Sequence, residues 1–233
     1  MLRYHAYYKQ HLNLRSTLEI LHGIVDFIVH IDHHINSLVA HYGIWSYAIL
    51  FAIIFCETGL VITPFLPGDS LLFVIGALAA SEGGPLEIKL VLILLTSAAI
   101  LGNLVNYHIG RFLAPKIFRN ENIRFLNKEH LNRTQEFFNK HGSKTIIMTR
   151  FMPILRTCAP FLAGVGNMPY AKFTLYNIVG GVVWVFLFVL AGYFFGKVPF
   201  IEHNFSKVIL VIIVVSLLPA IYEFCIPKKS EKK

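Results

Sequence analysis

Two apolar stretches of this sequence stop short, and the way they stop limits the fold more than any other feature. Residues 44–56 run apolar into ETGLVITPFLPGD, which holds Glu57, Gly59, Pro64, Pro67, Gly68 and Asp69 before apolar letters resume over 70–80. A membrane-spanning helix needs about 20 consecutive apolar residues, and neither piece reaches that length. Joined through a Gly/Pro break, they predict a re-entrant helical hairpin that enters a bilayer and returns to the same face. Non-helical backbone at that depth is tolerated only where protein buries it or water meets it, because hydrocarbon offers no hydrogen bonds. A second broken segment, TIIMTRFMPILRTCAPFLAGVG at 145–166, carries Pro153, Pro160 and Gly164 as its breaks, and Arg150 and Arg156 lie inside it. The two segments even share letters, TPFLPG at 63–68 and APFLAG at 159–164. Paired broken segments in the two halves of a chain point to a substrate site between them.

Elsewhere the apolar runs are continuous: 90–109, 173–196 and 208–226 predict about three spanning helices. Charged residues make up 15% of the 233, against about 25% in a soluble domain. The expected fold class is therefore an all-α polytopic membrane protein with two opposed re-entrant helical hairpins, about three spanning helices and an N-terminal amphipathic helix. It divides into that helix (1–43), a membrane domain (44–226) and a basic tail (227–233). Over 17–41, Phe27, Ile28, Ile31, Ile35, Leu38 and Val39 recur at helical spacing opposite polar residues, a pattern that fits a crossing or a flat-lying helix. His30 and His34 near Asp32 lack an HExxH pattern and read as part of a polar face at headgroup level; no metal site is expected. Gly192 and Gly196 form a candidate close-packing face in the span 173–196.

The net charge of +8, from 21 basic and 13 acidic residues, collects in the loop 111–144 and in the tail KKSEKK. The positive-inside rule puts both in the cytoplasm and 81–87 outside, so the second hairpin opens to the cytoplasm and the first to the opposite face. The basic excess is thereby a topological signal, and no nucleic acid is expected as partner. Cys56, Cys158 and Cys225 lie within apolar runs without a CxxC pair, which argues against disulfides and a metal site. No short apolar core with a cleavage site follows the basic start, so no cleaved signal peptide is expected.

Glu57, Asp69, Arg150 and Arg156 each cost roughly 2.5–3.5 kcal/mol inside an apolar span, about 10 in all if unpaired, and such residues are functional by default. Carboxylates whose protonation responds to burial suit proton coupling, which assigns Glu57 and Asp69. Arginines bring flat donor forks that match phosphate, which assigns Arg150 and Arg156 to substrate binding. Their spacing is poor for one helix face, but a break at Pro153 would bring them together. The structural alternative is that they pair off as buried salt bridges or sit at headgroup level, with Asp69 serving only to cap the helix beginning at Ser70. Asn103, Asn106 and Tyr107 in GNLVNYHIGR, with Thr157 beside Arg156, read as supporting residues.

These segments also carry a resemblance. ETGLVITPFLPGD, GNLVNYHIGR and HGSKTIIMTRFMPILRTCAPFLAGVGNM with Phe173 after it, in that order along nearly the whole chain, resemble the bacterial DedA family of the SNARE-associated or VTT-domain group. The resemblance implies a multi-pass protein of the bacterial inner membrane. It implies a flippase role in returning undecaprenyl phosphate, the lipid carrier of cell-wall sugars, dependent on proton motive force. The family's essential acids and arginines fall on Glu57, Asp69, Arg150 and Arg156. Expected partners are a polyprenyl-phosphate or other anionic lipid, protons and membrane lipids; a homo-oligomer is compatible, and no cofactor is expected. One departure is Asn103, which stands where many relatives carry an acid. Two rivals remain: a small-ion transporter with indirect envelope effects, and an intramembrane enzyme acting on lipid phosphates. Against the enzyme, the chain has no PSGH run, and His108 is the only histidine in a candidate span.

Overall fold

The computed structural model describes residues 31–60, 68–81, 86–119 and 144–225, which are helices and tight turns. In chain order they form α1 (Ile31–Tyr42), α2 (Trp45–Gly59), α3 (Gly68–Ala79) and α4 (Ile88–Arg119). Then come α5 (Thr145–Met148), a 3-10 turn (Thr149–Phe151), α6 (Pro153–Val165), α7 (Tyr170–Phe195), α8 (Pro199–His203) and α9 (Phe205–Cys225). Residues 17–30 of the amphipathic stretch, Pro64, Pro67, most of the basic loop and the tail lie outside the described residues.

Among the described residues two helices are long and apolar enough to cross a membrane, α4 over Ile88–Ala114 and the whole of α7. Only 39% and 33% of their most apolar windows are buried against the rest of the protein. Ile93 and Leu101 on α4, and Leu175, Val183 and Leu187 on α7, point outward. A core helix of a soluble protein would hide such residues, whereas a helix in lipid displays them. The third expected span, α9, has 21 residues, but its apolar part over Phe205–Ser216 ranks with the shorter apolar helices, beside α2 and α3. On α1, Ile35 and Val39 are buried and His34, Ser37 and His41 exposed, the amphipathic division read from the sequence; the helix packs on α3.

Both interruptions begin in extended backbone. Leu60 (φ −98°, ψ 121°) follows α2, and Met152 (φ −118°, ψ 107°) precedes α6. A residue before proline is driven out of the helical region, and Pro153 then opens α6 where its missing N–H is harmless. Pro160 and Gly164 correct the sequence reading: both lie inside α6 and break nothing. Membrane helices absorb an internal proline when neighbouring groups take up the freed carbonyl, and Gly164 serves packing instead of a turn. The shared letters TPFLPG and APFLAG consequently mark unequal places, the approach to α3 and the far end of α6.

The likeness of the two halves lies in their packing. α2 runs along α4 and α5 along α7, while α3 crosses α7 and α6 crosses α4. A Cβ on Gly76 would overlap the Val189 carbonyl, and one on Gly192 the Phe73 carbonyl. In the other half, Gly164 has the same relation to Tyr107 and Gly110 to Phe161. Each crossing is backbone against backbone, the close approach that small residues permit in membranes. Counting back equally from Gly76 and Gly164 reaches Gly68, beside Asp69, and Arg156. Acid and arginine thus stand at equivalent starts of α3 and α6.

Candidate functional site

The last turn of α2 supplies Glu57, the first turn of α3 supplies Asp69, and the first turns of α6 supply Arg156. The three meet although the bonded pairs are 99 and 87 residues apart in sequence. Arg156 Nη2 donates to Glu57 Oε1, and Nη1 donates to Asp69 Oδ1 at 2.8 Å. Exposures of 1%, 7% and 3% for Glu57, Asp69 and Arg156 put the cluster inside the protein. Trp184 of α7 lies under the guanidinium, 4.7 Å from ring centroid to Cζ, and its Nε1–H donates to Asp69 Oδ1 at 2.8 Å. Ser216 of α9 donates to Asp69 Oδ2 at 2.7 Å. The Asp69 carboxylate is therefore a tertiary hub joining α6, α7 and α9. Gly68 lies so close to the Glu57 carboxylate that any side chain there would collide with it.

Arg150, in the 3-10 turn, does not join this cluster. Its Nη2 donates to the side-chain and backbone oxygens of Asn177, and with the Asn103 amide assigned so that its oxygen faces Arg150, that oxygen accepts from Nη2 at 2.8 Å. Its stem lies on Gly180 and Gly181 of α7, where a Cβ on Gly180 would come within 3.0 Å of Cδ. The two arginines expected to act as one clamp thus have separate partners, carboxylates for Arg156 and amides for Arg150.

One face of α4 ties the breaks together. Asn106 Nδ2 donates to the Thr58 carbonyl at 3.3 Å and to the Thr157 carbonyl at 2.8 Å. In the same amide assignment Asn103 Nδ2 donates to that Thr58 carbonyl at 3.2 Å. That carbonyl belongs to the last turn of α2, where no intrahelical partner exists, and the close contact of Gly59 with Gly102 brings it within reach. Tyr107 is elsewhere: its hydroxyl donates to the Met168 carbonyl at 2.5 Å, and its ring stacks on Phe173 at 4.5 Å, anchoring the turn between α6 and α7. Sequence reasoning missed Asn177, Trp184 and Ser216. The available signal was position: Ser216 is the one polar residue in VILVIIVVSLLP, and Asn177 precedes the Gly180–Gly181 pair in an apolar run.

A helical membrane protein whose broken helices gather buried ionisable side chains between two long spans is the class this geometry defines. The VTT domain profile matches residues 66–194. The chain is 51% identical over 213 residues to Protein DedA of Escherichia coli K12, covering 91% of this chain and 97% of that protein. It is 45% identical over 182 residues to the uncharacterized membrane protein Rv0364 of Mycobacterium tuberculosis H37Rv, covering 77% and 80%. With the inner membrane protein YghB of Escherichia coli K12 it shares 33% over 197 residues, covering 84% and 86%. No solved structure matches it. The chain belongs to the DedA family of VTT-domain membrane proteins.

Proposed function

We propose that this chain is a multi-pass transporter of the bacterial inner membrane. It moves the headgroup of a polyprenyl-phosphate carrier, undecaprenyl phosphate, between the membrane faces while the prenyl tail stays in lipid. The observation that carries this reading is the gathering of four buried ionisable side chains at two helix breaks. α2 with α3, and α5 with α6, are each too short to cross singly. Placed in a bilayer they form two hairpins entering from opposite faces, with α9 as a third span beside α4 and α7.

The charges divide the work. Among the described residues Glu57 and Asp69 share one cation, Arg156, so one of the two carboxylate charges has no counter-charge of its own. That supports coupling to the proton motive force. Moving a headgroup makes and breaks no covalent bond, so the chain acts as a transporter and not as an enzyme, without a cofactor. The test is transbilayer movement of labelled polyprenyl phosphate in proteoliposomes, with and without a pH gradient. Movement of intact lipid, faster with the gradient, is expected. Release of inorganic phosphate would replace this reading with a lipid-phosphate enzyme, and ion flux without lipid movement with a small-ion transporter.

A further inference from the structure

The two buried arginines hold opposite places in the charge balance. Arg156 faces two carboxylates. Arg150, 1% exposed, meets only the oxygens of Asn177 and Asn103 among the described residues. Among the described residues its Nε and Nη1 have no acceptor. A buried cation without a counter-charge is strongly unfavourable, and buried donors are almost always bonded. The surroundings hold this one in place nonetheless. Gly180 and Gly181 give its stem a bare backbone slot, since a Cβ on either would come within 3.0 Å of Ile100 or of Arg150 itself. Nη2 is fixed by amide oxygens that orient the fork without cancelling its charge.

We propose that Arg150, oriented by Asn103 and Asn177, is the seat for the phosphate group, and that Asn103 determines this by leaving the counter-charge to the ligand. The inference rests on the function proposed above and divides its arginines. Arg156 belongs to the carboxylate pair, and Arg150 receives the anion with two of its three nitrogens uncommitted. Asn103 is decisive because its oxygen is 2.8 Å from Nη2. An isosteric aspartate would set a carboxylate there and pair Arg150 internally, with a charge-assisted bond in place of a neutral one.

The experiment measures equilibrium binding of farnesyl phosphate, farnesol and inorganic phosphate to the full chain in lipid nanodiscs, for wild type, Asn103→Asp and Arg150→Lys. Wild type is expected to prefer farnesyl phosphate to farnesol. Asn103→Asp should weaken the phosphate at least tenfold and leave farnesol unchanged, with a melting temperature equal to or above wild type. Arg150→Lys should weaken the phosphate several-fold, because an ammonium does not reproduce the planar fork. A wild-type preference that survives unchanged in Asn103→Asp overturns the seat and leaves the transport reading standing. No preference for phosphate over alcohol in the wild type overturns both. Inorganic phosphate binding as tightly as the lipid supports the seat and assigns it to free phosphate, ending the lipid-carrier reading.

Discussion

Truncating Asp69 to alanine removes the acceptor from three donors at once. Arg156 Nη1 and Trp184 Nε1 each approach Oδ1 at 2.8 Å, and Ser216 Oγ approaches Oδ2 at 2.7 Å. Trp184 is fully buried and has one donor; left unsatisfied, it costs about 1–3 kcal/mol. The bond from Arg156 to a carboxylate is worth about 1.5–3 kcal/mol, and Arg156 keeps Glu57, so its charge is not orphaned. Ser216 is half-buried and can turn back on its own helix, so its loss adds about 1 kcal/mol or less. The sum is roughly 3–7 kcal/mol of destabilisation. Asp69→Asn keeps the shape and one acceptor oxygen, while the serine hydroxyl can accept from the new amide. Its cost should stay within about 1–2 kcal/mol. For a chain of this size each kcal/mol is about 2–4 °C, so thermal unfolding in nanodiscs should place alanine roughly 6–28 °C below wild type and asparagine roughly 2–8 °C below it. If Asp69 merely capped α3, alanine would lose only about 1 kcal/mol. An alanine midpoint within about 4 °C of wild type refutes the three-donor account. Asp69→Asn should also fold yet fail to transport, since an amide cannot take part in the proton cycle.

Three other outcomes follow from the packing and the charge distribution. Ser216→Ala should speed hydrogen exchange in α9 while leaving α4 and α7 unchanged; equal exchange would show that apolar contacts alone hold α9. Gly164→Leu and Gly192→Leu should each abolish monodisperse, folded protein by size exclusion, because both side chains would enter a partner backbone; normal folding of either contradicts the backbone-to-backbone crossing. A single cysteine at position 125, in a background lacking Cys56, Cys158 and Cys225, should label only from the cytoplasm, and labelling from outside reverses the topology drawn from the basic loop.

Periodicity and cost made part of this legible. Charges are expensive in apolar runs, so Glu57, Asp69, Arg150 and Arg156 were visible singly, and proline with glycine marked an interruption in each half. What the letters do not separate is a glycine that ends a helix from one that lets helices touch. Gly59 and Gly68 do stand at helix ends, while Gly164 looks the same in sequence and is buried in a crossing. Pairing is equally hidden: two arginines six positions apart suggested one clamp, but the extended backbone at Met152 sends them to different partners. Lone polar residues such as Asn177 and Ser216 gain meaning only once tertiary structure shows what they face.

The acids and the proposed anion seat are separate but share backbone. Glu57 and Thr58 are adjacent in the last turn of α2. The Thr58 carbonyl accepts from Asn106 at 3.3 Å and from Asn103 at 3.2 Å, and Asn103 in turn accepts from Arg150. Asn106 also holds the Thr157 carbonyl, next to Arg156, at 2.8 Å. In the proposed cycle, a proton on the carboxylate pair weakens the grip of Glu57 on Arg156, and the ends of α2 and α6 are the segments free to respond because both border a break. A response of α6 reaches the Thr58 carbonyl through Asn106, and one of α2 reaches the proposed Arg150 seat directly by way of Asn103. A ligand shifts a conformational equilibrium only by its differential affinity for the two states, and these amides are where that difference would arise. Coupling of this kind runs through hydrogen bonds and needs no carboxylate at position 103, so the proposed proton-dependent cycle is compatible with asparagine there. Asn106→Ala should then leave phosphate binding within a few-fold of wild type while weakening the effect of a pH gradient on transport, because the Thr157 carbonyl loses its tie to α4. A gradient effect of full size in that variant would rule out Asn106 as a carrier of the link.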